Sequence, residues 1–129
     1  DMELMKQNNN HHMVDYLLID TEGHESVVLQ GALQTLRMKK VKMIVFEYHR
    51  VGMWAYTRVG TVVDLLDAEG YDCYWMGVNR LWPITGCYNA KMEFHNWANV
   101  ACFLRGHAYH NVAQKYVIDL DRMHDEGYI

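Results

Sequence analysis

Two short, dense apolar runs frame this chain: Val14–Ile19 (VDYLLI) and Lys42–His49 (KMIVFEYH), the second with Met43, Ile44, Val45 and Phe46 at its centre. Runs of this length bounded by polar residues predict strands buried on both faces, the kind found in parallel sheets. Between them the period changes. Val28, Leu29, Ala32, Leu33 and Leu36 recur at helical spacing and predict a helix from about His24 to Arg37. Glu22 and Glu25 lie at its amino end, and Arg37, Lys39 and Lys40 at the other, so each charge complements the helix dipole.

After the second run, a loop carrying Gly52, Trp54 and Tyr56 leads to a second helix, about Gly60 to Ala68, with Val59, Val62, Val63 and Leu66 as its buried face. Thr61 with Asp64 fits a capping box, and Gly70 is placed to end the helix in a left-handed conformation. Tyr71–Met76 and Val100–Arg105 predict two more strands, separated by a long irregular connection, Gly77–Asn99, that holds Pro83. A last amphipathic helix spans about Asn111 to Met123, with Val112, Ala113, Tyr116, Val117 and Leu120 on one side. The opening stretch Asp1–His12, with its Asn8–His12 tip, is polar and predicts a loop.

The resulting order is strand, helix, strand, helix, strand, strand, helix. Strands joined by helices imply parallel pairing with right-handed crossovers, and the last two imply an antiparallel pair at one edge. This is an α/β pattern. A chain of 129 residues, half of them apolar, fits one globular domain. A net charge of -4 without a basic stripe disfavours nucleic acid as a partner. No apolar run is long enough for a membrane span. Cys73, Cys87 and Cys102 are odd in number and widely spaced, which favours buried free thiols and leans toward a reducing compartment. A Cys73–Cys102 bridge stays open if those strands lie side by side.

Candidate chemistry gathers just past the first strand. Asp20, Glu22, His24 and Glu25 follow its carboxyl end, where open α/β sheets carry their ligands, and Glu47 and His49 end the second strand. Several ionisable groups converging on one crevice favour a site. Taken singly, each has a plain structural role open to it, in complementing a dipole or satisfying a turn. Asp20, Glu22 and Glu47 could instead offer oxygen to a divalent metal, a weaker alternative. Trp54, Tyr56, Trp75, Trp82 and Trp97 could line an apolar pocket, although packing is the commoner fate of such residues.

The turn Ile19-Asp20-Thr21-Glu22-Gly23-His24-Glu25, followed by Val28-Leu29 and Gly31-Ala32, resembles the IDxEGxE…VLxGA pattern of the FkbM-type methyltransferases. Val45-Phe46-Glu47-Tyr48-His49 is similar to that family's next strand, and Asn99-Val100-Ala101-Cys102-Phe103, more weakly, to its last. The resemblance implies the second half of a class I, Rossmann-like methyltransferase sheet, mostly parallel with an antiparallel edge hairpin. It divides the chain into a polar segment (1–13), the carboxyl-terminal half of the domain (14–106) and a helical tail (107–129). It further implies S-adenosylmethionine as cofactor and methyl transfer, to oxygen, on a small-molecule, glycan or lipid-like hydroxyl substrate. His49 or Asp20 would serve as base, with Glu22 and Glu47 orienting the acceptor and His24 nearby. The cofactor's glycine-rich turn is expected upstream of Asp1, so the chain by itself would bind the cofactor poorly. The alternative is a non-catalytic scaffold whose Tyr16–Ile19 edge is covered by a partner chain or a second copy.

Overall fold

The computed structural model describes residues 13–20, 28–29, 31, 41–94 and 96–118. Five strands, β1 (Val14–Ile19), β2 (Val41–Tyr48), β3 (Tyr71–Gly77), β4 (Arg80–Pro83) and β5 (Ala98–Leu104), form one sheet in the order β1-β2-β5-β3-β4. β1 pairs with β2 in parallel, Ile19 opposite Phe46, whereas the β2–β5, β5–β3 and β3–β4 pairs are antiparallel. The mostly parallel sheet expected from the element order is therefore corrected to a mostly antiparallel one. The helical crossover after β2 does send β3 in the same direction as β2, as a crossover must. It fixes direction and not adjacency: β5 runs the opposite way and inserts between the two. The expected edge hairpin is likewise displaced, because β5 is central and β4, inside the stretch expected to be irregular, forms the edge.

β2 is buried on both faces, as its unbroken apolar run predicts. Ile44, Phe46 and Tyr48 point to one side, where they pack with Val100, Cys102 and Leu104 of β5 and Tyr71 and Cys73 of β3. Helix α1 (Val59–Ala68) closes this side with Val59, Val62, Val63 and Leu66. Val45 points to the other side with Tyr74, Ala101 and Phe103, beneath Ala113 of the short helix α2 (Ala108–Ala113). The strand period of two thus feeds two cores from one sheet. β1 departs from expectation. Ile19 is buried, but Tyr16 and Leu18 are 50% and 56% exposed, so one face of this strand is open.

α1 begins one residue before the expected start, with Arg58 as its N-cap and no side-chain cap from that residue. Thr61 lies inside the first turn, so the capping box with Asp64 is not made. Gly70 has φ 98°, the left-handed conformation expected where the helix ends. Of the first predicted helix, Val28, Leu29 and Gly31 are described and helical, with Leu29 fully buried. The last helix is shorter than its apolar pattern predicts. It gives way to a 3-10 turn at Gln114–Tyr116, and Val117 then joins Leu81 of β4 in a parallel bridge. Leu120 and Met123 lie outside the described residues.

Cys73 and Cys102 face each other across β3 and β5 and form a disulfide, while Cys87 is free and exposed. The expected free thiols are thereby corrected for two of the three, and the argument from thiols to a reducing compartment goes with them. At the far end of the sheet Arg105 donates to Asp72 at 2.6 Å and to the Tyr71 carbonyl at 3.0 Å. Asp72 also meets His110 of α2 at 2.9 Å, which ties that helix to β3.

Candidate active site

Asp20 stands one residue past the end of β1 and is exposed. Because β1 and β2 are parallel and Ile19 pairs with Phe46, Asp20 emerges beside the Glu47–His49 end of β2. Three of the six residues nominated from sequence, Asp20, Glu47 and His49, are therefore brought to one end of adjacent strands. Glu22, His24 and Glu25 lie outside the described residues. Glu47 is half-buried and pairs in register with Asn99 of β5.

His49 is 2% exposed, the one polar or charged residue among those described that is so enclosed. Its Nδ1 accepts a hydrogen bond from the Val51 N–H at 3.1 Å, closing the turn that follows β2. Nδ1 being an acceptor, the proton of the neutral ring belongs on Nε2, which is buried and meets no partner. The indole of Trp97 stacks on the imidazole, centroids 4.8 Å apart and planes 23° apart, while Trp97 itself is 67% exposed. Trp97 sits just before β5, and Tyr48 pairs with Ala98, so antiparallel pairing places the indole opposite His49.

On the α1 side of the same end lies a cleft of about 340 Å³, lined by Trp54, Tyr56, Arg58 and Glu93 among others. Trp54 and Tyr56 border this cleft, and Trp54 is at the same time a core residue stacked on Phe46. Glu93 escaped the sequence reading. Its Oε1 accepts from the Tyr88 hydroxyl at 2.9 Å and from the Gly60 N–H at 3.1 Å, and its Oε2 from the Tyr48 hydroxyl at 3.2 Å. The carboxylate caps α1 from 33 residues away, where the helix dipole favours negative charge. Partial burial, then the neighbouring carboxylate, push the Tyr88 hydroxyl above its ordinary range. The available signal was sparse: between Ile84 and Asn99 the residues charged at neutral pH are Lys91 and Glu93, in a loop otherwise aromatic and polar.

Trp75 and Trp82 pack instead against the sheet and its neighbours. Trp75 pairs with Trp82 across β3 and β4, and its ring meets Tyr48 and Phe94 at 5.3 and 4.7 Å. Among the described residues no three His, Cys, Asp or Glu side chains gather as a metal ion would require, and Glu22 of the alternative metal trio lies outside them. No helix among those residues is long and apolar enough to cross a membrane.

This end of the sheet can do acid–base and hydrogen-bonding work: a solvent-reachable carboxylate, a second carboxylate beside it, an enclosed imidazole and an exposed indole. Comparison with known proteins bears on what that work is. The model of the methyltransferase FkbM domain matches residues 1–73, which include β1, the acidic turn and β2. No curated protein and no solved structure matches the chain. With more than half its length matched by that one model, the chain belongs to the FkbM methyltransferase family.

Proposed function

We propose that this chain forms the acceptor side of an S-adenosylmethionine-dependent methyltransferase acting on a hydroxyl oxygen. The observation that supports this most is the register of β1 and β2, which sets Asp20 and His49 past the carboxyl ends of neighbouring parallel strands. That is where ligands dock on open α/β sheets. The cofactor supplies an electrophilic methyl group on a sulfonium. Residues 1–13 contain no glycine, and the described residues form no glycine-rich turn after a strand, so the cradle for that cofactor does not fit this part of the fold.

What this chain supplies is the handling of the acceptor. Transfer to oxygen asks the protein to orient a hydroxyl and take its proton. Asp20, exposed and unburdened by the ladder, is placed to accept that proton, and Glu47 to orient the acceptor beside it. The experiment is transfer of labelled methyl from S-adenosylmethionine to hydroxyl-bearing acceptors by the protein that carries this chain. Asp20→Asn should lower turnover about 100- to 10,000-fold with little change in acceptor KM. Undiminished turnover would remove Asp20 from the chemistry.

A second reading rests on the open face of β1. Val14, Tyr16 and Leu18 present apolar side chains on one side of the strand, a surface that invites another chain or a second copy. Such a scaffold would bury Tyr16 in a complex and would leave Asp20→Asn without effect.

A further inference from the structure

His49 presents a combination that the proposed function does not use. Its side chain is enclosed, Nδ1 is committed to the Val51 N–H, and Nε2 has no acceptor. Buried donors without acceptors are rare in folded proteins, and those that persist call for an explanation. A ring whose Nδ1 already accepts cannot offer that nitrogen to a substrate proton, and Nε2 carries a proton of its own. The residue follows the end of β2, on the same side of the sheet's rim as the end of β1, and the exposed indole of Trp97 lies on one face of its ring.

We propose that His49 is a fixed hydrogen-bond donor, holding an oxygen of the acceptor through Nε2–H, and that Trp97 is the movable cover that admits it. This deepens the methyl-transfer reading and rests on it only for the identity of that oxygen. Asp20 takes the proton; His49 positions the group that loses it. The stack on Trp97 keeps the imidazole plane fixed, and the Val51 N–H keeps its tautomer fixed, so the donor is oriented before any ligand arrives. An indole that is two-thirds exposed gives up little packing on swinging away, whereas moving His49 would break the turn after β2.

The test is long-range proton–nitrogen NMR correlation of the histidine rings in the 15N-labelled chain, in mildly alkaline buffer, with His49→Gln identifying the signals. His49 should show the Nε2–H form. Its Nε2 proton should exchange with water at least about tenfold faster in Trp97→Ala than in the native protein, because the cover is gone. Acetate, a small carboxylate acceptor, should then shift the His49 Nε2–H signal saturably in Trp97→Ala while the other histidines stay in place. An Nδ1–H form, equal exchange in the two proteins, or an acetate titration that leaves His49 unmoved would each overturn the proposal. Failure of the methyl-transfer reading looks different: no methylated product from the native protein, with the tautomer and its exchange unchanged.

Discussion

Replacing Tyr71 with Phe removes one oxygen from a fully buried side chain and tests how the ends of the strands are held. Tyr71 opens β3, and its hydroxyl donates to the Val41 carbonyl at the start of β2 at 2.6 Å, reaching past the end of the intervening β5. The ring stays, so the cost is the hydrogen bond together with a carbonyl left underused in the core, about 1–2 kcal/mol at neutral pH. Alkaline conditions add a second, independent readout. Burial, which outweighs the opposing bond to Val41, pushes the hydroxyl up from 10.0 to about 12. Below about pH 10 it is protonated in the folded and unfolded chains alike, and its contribution is intact. From there upward the unfolded chain loses the proton first, so the native protein loses stability, by about 2.3 kcal/mol at about pH 12. Tyr71→Phe has no such limb, and all other tyrosines are common to both proteins. The stability difference from urea melts should therefore shrink above about pH 10, vanish near about pH 11 and reverse beyond it. A difference that stays constant from neutral pH to about pH 11.5 would refute the claim that the folded state holds this hydroxyl protonated.

Two further outcomes concern the frame around the candidate site. The Cys73–Cys102 disulfide closes a loop of 29 residues, so Cys73→Ala with Cys102→Ala should cost about 3–4 kcal/mol and lower Tm by about 10–15 °C. Thiol titration of the denatured, unreduced native protein should find Cys87 alone, and finding all three cysteines reactive would contradict the bridge. A Cβ at Gly60 would stand 2.6 Å from the Tyr88 ring, so Gly60→Ala must push that ring off the Glu93 carboxylate. The expected cost is about 1–3 kcal/mol despite alanine's better helix propensity, read by chemical denaturation, and Tyr88→Ala should relieve the clash.

Much of this protein could be read along the chain because its elements announce themselves locally. Periodicity placed β1, β2, β3, β5 and α1 to within a residue or two, and the carboxyl-end location of Asp20 and His49 followed from strand limits alone. The Ile19–Glu25 motif, IDTEGHE, carries the family signature within seven consecutive residues. These signals are local: side-chain period, turn chemistry and the spacing of a motif depend on neighbours in sequence.

Adjacency and atomic environment are not local, and there the tertiary structure decided. A helical crossover fixes which way β3 runs, yet nothing in Tyr71–Gly77 encodes that β5, arriving later, would take the place next to β2. The same insertion puts Cys73 opposite Cys102 and turns two expected thiols into a bridge. It also brings Trp97 over His49. Glu93 caps α1 across 33 residues of intervening chain, a task for which local sequence offered Thr61 and Asp64. His49 was nominated by its position, but its role as donor depends on which ring nitrogen the Val51 N–H occupies, and only the folded turn fixes that.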